Sequence, residues 1–328
     1  MIPIIDLHSD LLSYLSDRPN RSPVDPISRS SYPQLTQGNV KLQTLAIFSK
    51  TETKSVENGR KQIDHFFKLI SHYPTMFAPF PLDAQKPEVH LIPAFENGSA
   101  FASETEPLSD VIQRLEGYLK ALGHLFYISL TWDEENRFGG GNRSTSGLKA
   151  DGKRLVEWMH GKRIALDFSH TSDKLAYDLL NFIDQSGCDL PIIASHSNFR
   201  AISEYPRNLP DDLAKEIIRR KGLIGLNLFA PFIHKTDPFA IVRQVEYGLA
   251  LGGENALSFG ADFFCDSDFP DIMAKYQRST SFYPQFSDSS SYPILLELFA
   301  EHLKLNEQQL HKVASQNALH FLKERILK

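Results

Sequence analysis

The chain has 328 residues, of which 41% are hydrophobic and 23% charged, with a formal net charge of −5. That length fits one large domain, the acidic balance disfavours an extended nucleic-acid surface, and no apolar run approaches the ~18 residues of a membrane span. Two cysteines, Cys188 and Cys265, form no spaced framework and fit a reducing compartment.

Eight short apolar or β-branched runs recur in chain order, at 3–7, 42–48, 91–95, 126–131, 163–168, 191–195, 223–228 and 257–261. Most are continuous rather than alternating, as in parallel strands buried on both faces. Between them lie segments with apolar residues at three- and four-residue spacing, at 56–72, 108–122, 149–160, 172–185, 210–221 and 238–251. Leu175, Leu179, Leu180 and Ile183 show that spacing. Pro210-Asp211-Asp212 suits a first helical turn, where proline lacks a needed N–H and acids meet the helix dipole. Gly187, Gly222 and Gly252 fall near helix ends. Two further helices, 292–303 and 307–322, close the chain. Eight strand–helix units predict an α/β chain folded as a single (β/α)8 TIM-type barrel over 1–328, with extra C-terminal helices. The runner-up is an open doubly wound sheet, but no Gly-x-Gly-x-x-Gly turn follows the first strand.

Two irregular stretches stand out by position. Residues 17–37 follow the first strand, and 263–292 follow the eighth. Long loops at the C-terminal ends of barrel strands build active sites, so these two are expected to set specificity.

The residues just past the strands share a chemistry. The first strand ends in His8 and Asp10, the third in Glu96, the fifth in His170, the sixth in His196 and the eighth in Asp262. Residues i and i+2 of a strand point to the same side, so His8 and Asp10 can converge on one cation. In a barrel all six side chains meet at one mouth, where uncompensated carboxylates would be costly and divalent cations would neutralise them. Mixed nitrogen and oxygen ligands favour Zn, Mn, Fe or Co over Mg or Ca. A single histidine after a strand is more often a cap than a ligand; the joint placement carries the metal site. Of the twelve histidines, His90, His124 and His234 lie near strands or loops without joining this pattern.

Ile5-Asp6-Leu7-His8-Ser9-Asp10, Glu96-Asn97-Gly98, Leu166-Asp167-Phe168-Ser169-His170, Ile193-Ala194-Ser195-His196-Ser197, Tyr205-Pro206-Arg207-Asn208 and Gly260-Ala261-Asp262 resemble, in order, the membrane (renal-type) dipeptidase family of metallopeptidases. The resemblance implies a two-zinc centre that hydrolyses dipeptides. It implies that His8, Asp10 and Glu96 hold one ion, and that Glu96 bridges to a second held by His170 and His196. It further implies that Arg207 binds the substrate's terminal carboxylate and that Asp262 handles the proton. Some relatives carry a histidine after the fourth strand; this chain has Trp132 there, a single N–H donor that the resemblance places at the substrate. Oxyanion stabilisation would then fall to a metal or to Asn136, Arg137 or Arg143. Cys265 has no evident base nearby and reads as a bystander.

These readings predict a metallo-dipeptidase with two divalent ions, zinc first, and a small dipeptide as partner. No nucleic acid and no membrane partner is expected, and a homodimer is compatible with the chain. His8 so close to Met1 predicts no cleavable leader and a cytoplasmic setting. The alternatives are a phosphodiesterase or deaminase barrel, disfavoured by His-x-Asp in place of His-x-His, and a degenerate barrel that only binds ligand.

Overall fold

Strands built from runs such as Ala46-Ile47-Phe48 have no polar face to give to water, so both faces must be covered. The computed structural model describes residues 1–328 apart from 84, 272–273 and 275–279. Among the described residues nine parallel strands form one sheet: β1 (Ile4–Ser9), β2 (Val40–Phe48), β3 (Phe77–Pro79), β4 (Val89–Glu96), β5 (Tyr127–Ser129), β6 (Ala165–Asp167), β7 (Ile192–Ala194), β8 (Leu223–Leu226) and β9 (Leu257–Phe259). The order β2-β1-β9-β8-β7-β6-β5-β4 closes on itself through β2–β4 pairing, from Leu42↔His90 to Phe48↔Glu96. This is the expected eight-stranded barrel. The additional β3 flanks only the start of β4, with Phe77 opposite Val89.

Helices cover the outside. Segment Asp173–Ser186 buries Leu175, Leu179, Leu180 and Ile183 toward the sheet. The Ser172 hydroxyl caps its start by accepting from the Leu175 N–H at 2.9 Å. It ends at Gly187, whose φ of 67° is readily adopted without a Cβ. Burying one such leucine contributes about 2 kcal/mol.

The lower end of the barrel is plugged. Phe321, Leu322 and Ile326 of the C-terminal helical segment pack with Ile5, Leu7, Leu42, Ile92 and Leu223 from the strands. The C-terminal mouth is therefore the end left for chemistry.

The two irregular stretches are less irregular than their composition suggests. Residues 17–37 contain the helix Tyr32–Gln37, and the Ser31 N–H donates to Gln34 Oε1 at 3.0 Å at its start. The second stretch, 263–292, includes 272–273 and 275–279, which lie outside the described residues. Its described part is clamped to the first: Arg21 donates to both carboxylate oxygens of Asp268 at 2.7 and 2.5 Å, and Arg29 pairs with Asp266 at 2.5 Å. Among the described residues no helix is long and apolar enough to cross a membrane.

Candidate metal centre

At the barrel mouth the chain must satisfy backbone N–H groups that leave the sheet ladder. Asp and Asn side chains do this repeatedly. Asp6 accepts from the N–H of His8 at 2.8 Å and of Ala261 at 3.2 Å. Asp167 accepts from the N–H of Ser169 at 3.1 Å and of Ser195 at 2.7 Å, and Asn227 from that of Phe229 at 2.7 Å. The pairing of β1 with β2 slips in register between Asp6 and Ser9, a bulge that lets Leu7 stay in the barrel interior while His8 reaches the mouth. Asn97, His170 and Asp262 adopt left-handed backbone, with φ of 72°, 65° and 64°. At His170 and Asp262 this backbone accompanies side chains that join the ligand cluster, whereas the Asn97 side chain bonds the Ser49 carbonyl and the Ser99 N–H.

The six strand-end residues meet. Glu96 Oε2 lies 3.3 Å from His8 Nε2, while Glu96 Oε1 lies 3.0 Å from His170 Nε2 and 3.5 Å from His196 Nε2. His8 Nε2 is also 3.9 Å from Asp10 Oδ2 and 3.6 Å from Asp262 Oδ1. Potential ligand atoms converge within 4.8 Å in three overlapping groups: His8, Asp10 and Glu96; Glu96, His170 and His196; His8, His196 and Asp262. All six residues are buried.

Three observations fit this cluster to divalent cations. His8 Nε2 is fully buried and has no hydrogen-bond partner. The Nε2 atoms of His170 and His196 approach to 3.1 Å, close to the roughly 3.3 Å between two imidazole nitrogens on one tetrahedral zinc. Finally, each histidine is engaged at Nδ1: His8 with Tyr127 Oη at 2.6 Å, His170 with Asn142 Oδ1 at 3.1 Å, and His196 with Ser195 Oγ at 2.6 Å. Asn142 Oδ1 can only accept, so His170 carries its proton on Nδ1 and bares Nε2.

The electrostatics of the protein groups agree. Burial opposes charging His8, but the carboxylates of Glu96, Asp10 and Asp262 outweigh it and push its pKa up to about 10. Burial, reinforced by the His8 charge and Arg207, holds His196 well below its ordinary value. Burial works against ionised Glu96 too, yet the three histidines hold it well below the usual range. Burial and then Glu96 raise Asp10; burial raises Asp262, although His8 opposes the shift. Such a cluster of opposed charges is balanced only as a unit.

The remaining predicted residues divide. Trp132 lines the cleft above the cluster, its ring 5.9 Å from that of His170. Arg207 is buried beside the site, donating to Ser197 Oγ at 2.7 Å and to the His196 carbonyl at 3.0 Å, with its Nε unpartnered. Of the three groups considered for the oxyanion, Arg143 alone lines the cleft. Asn136 is spent on Asn97 Oδ1 and the Leu130 carbonyl, and Arg137 on Asp151 and the Ser103 carbonyl. Cys265 contacts Ser267 Oγ, consistent with a bystander. Sequence reasoning missed Asp6, Tyr127, Asn142, Asp167, Ser195 and Asn227, which hold the ligands from behind. Asn227 donates to Asp262 Oδ2 at 2.9 Å and so orients it. Carboxylates inside the apolar runs at Asp6 and Asp167 were the available signal, since a buried carboxylate needs donors.

Fold and cluster together define a barrel with a candidate metal centre at its C-terminal mouth. The model of the membrane dipeptidase family, peptidase family M19, matches residues 1–326, and the chain belongs to that family. A metallopeptidase from Rhodobacter sphaeroides, crystallised with a phosphinate mimic of the dipeptide L-Ala-D-Ala, is similar with a TM-score of 0.82 and 19% identity over 99% of both chains. The crystal structure of dipeptidase AC, also of family M19, has a TM-score of 0.83 at 20% identity over 99% of both chains. In sequence, an uncharacterized protein of the pqqA 5′ region of Klebsiella pneumoniae is 29% identical over 147 residues, 40% of this chain and 52% of that protein. The chain spans about half the length of the curated relatives it matches.

Proposed function

We propose that the protein is a metallo-dipeptidase, hydrolysing dipeptides at a centre of two divalent cations, zinc first. One observation carries the reading: Glu96 presents one carboxylate oxygen to His8 and the other to His170 and His196. On it, His8, Asp10 and Glu96 would hold one ion and Glu96, His170 and His196 the other. The bound pair would supply a hydroxide nucleophile at neutral pH and polarise the scissile carbonyl.

The protein groups have the remaining tasks. Asp262, oriented by Asn227 and raised by burial, takes the proton of the attacking water and passes it to the departing amine. Arg207, buried beside the ligand cluster and held by Ser197 Oγ and the His196 carbonyl, supplies a fixed guanidinium for the substrate's terminal carboxylate. Trp132 borders the substrate from the His170 side. Cys188 and Cys265 are both free, which supports a reducing compartment and a cytoplasmic setting.

The test is elemental analysis of protein purified without chelator, followed by assay of the metal-loaded chain on L,L- and L,D-dipeptides. Near two equivalents of metal and turnover of dipeptides are expected. Full metal occupancy with no turnover of any dipeptide overturns the reading.

A further inference from the structure

The cleft above the ligands, about 520 Å³, is walled by an arc of aromatic rings. Ring centroids follow one another from Trp132 to Phe48 at 5.0 Å, Phe48 to Phe269 at 6.0 Å, Phe269 to Phe264 at 5.1 Å, Phe264 to Phe229 at 5.8 Å and Phe229 to Phe232 at 4.7 Å. These rings come from the C-terminal ends of β2, β5, β8 and β9, so four separate parts of the chain deliver aromatic groups to one wall. All six residues line the cleft.

Rings that served packing alone would be expected to fill their own space, whereas this arc encloses a volume within the range of ligand sites. Among the described residues, the charged groups of the cleft outside the ligand cluster are Lys50, Asp133, Glu134, Arg143 and Asp271; Asp133 is mostly buried 3.5 Å from His170 Nδ1, and the other four are about half exposed or more. Arg143 pairs with Glu134 at 3.2 Å with half of its side chain exposed, and Lys50 lies 3.9 Å from the exposed Asp271. A charged substrate side chain lying against the six rings would shed its hydration on aromatic faces that carry no charge to replace it. A large apolar side chain would release water from both surfaces.

We infer that the substrates are dipeptides bearing a large apolar or aromatic side chain, which the arc from Trp132 to Phe232 receives. This inference rests on the dipeptidase reading and narrows it. The aromatic arc selects the side chain, and the ligand cluster beneath it addresses the amide.

The test uses the metal-loaded full chain and a panel comprising Leu-Phe, Phe-Leu, Ala-Ala, Glu-Glu and Lys-Lys, each as its L,L and L,D forms, together with Gly-Gly. The expected result is a kcat/KM for the Leu/Phe dipeptides at least tenfold above that for Glu-Glu and Lys-Lys, on the scale apolar pockets reach. The ratio should shrink in Phe269→Ala and in the milder Phe48→Leu, with folding of each checked by circular dichroism. Equal kcat/KM across the panel, or preference for charged dipeptides, overturns the inference and leaves the dipeptidase reading standing. A ratio unchanged in both folded variants overturns its assignment to the arc. No hydrolysis of any dipeptide overturns the underlying reading, and this inference with it.

Discussion

Ser195 Oγ lies 2.6 Å from Nδ1 of its neighbour His196. The serine has a single proton, and its oxygen also lies 2.7 Å from Asp167 Oδ2, which accepts that proton. The Ser195–His196 contact is then an imidazole N–H donating to the hydroxyl, and Nε2 of His196 is left bare toward Glu96 and His170. Asp167 thus selects a histidine tautomer two bonds away. Ser195→Ala and Asp167→Asn are expected to weaken cation binding about 10–100-fold while the barrel stays folded. Chelator competition measures this; wild-type affinity in both variants would refute the relay.

On the proposed ligand set, His8 would make cation binding proton-linked. Its folded pKa of about 10 exceeds the ordinary 6.5, because Glu96, Asp10 and Asp262 outweigh the opposing effect of burial. A cation at Nε2 must displace that proton, so affinity should rise with pH between 6.5 and 10. Calorimetry in buffers of differing ionisation enthalpy should register the release. In metal-free protein the same shift stabilises the fold fully below pH 6.5, and the contribution is lost as pH rises through about 10. A His8→Gln variant should lack this fall, and a parallel pH profile of melting for variant and wild type would contradict it.

Glu96 is the one residue shared by the two ligand groups that contain His170 or Asp10. Glu96→Gln keeps its shape and removes its charge. Elemental analysis after dialysis should show metal content falling from near two equivalents to one or fewer. Retention of two would mean that the carboxylate does not bridge.

Asp262 donates no ligand atom to the group of Glu96, His170 and His196 or to that of His8, Asp10 and Glu96. It does belong to a third such group, with His8 and His196. On the proton-carrier reading Asp262→Ala should keep its metal by elemental analysis and lower kcat by about 10²–10⁴-fold, the usual loss of a general acid–base group, whereas loss of metal would make Asp262 a ligand instead. Equal kcat in variant and wild type would remove Asp262 as the proton carrier.

Arg21 and Asp268 join the two long loops through a bidentate pair whose side chains are only 6% and 9% exposed. Removing one partner strands the other in a poorly hydrated site. Arg21→Ala is expected to cost about 3 kcal/mol in urea unfolding. Because Phe269 follows Asp268, KM for apolar dipeptides should rise as well. A loss below about 1 kcal/mol would place the pair among weak surface bridges.

Periodicity was enough for the architecture. Continuous apolar runs and three- to four-residue spacing depend on local burial, which a barrel imposes evenly on all eight units, and the strands and helices fall near the bounds read from them. The ligand-type residues at strand ends were legible for the same reason, since every barrel strand delivers its C-terminus to one mouth. Short β3 was not legible, because Phe77–Pro79 has too few residues for a period. Nor was the fate of Asn136 and Arg137, whose partners lie up to 39 residues away. The sequence by itself determined the barrel and which six side chains reach its mouth. Only the tertiary structure decided which Glu96 oxygen faces which histidine, how Asp167 acts through Ser195, and that six aromatic residues from four strand ends form one arc. These are relations between distant segments, set by packing and by the need to pair buried polar groups, and no local pattern encodes them.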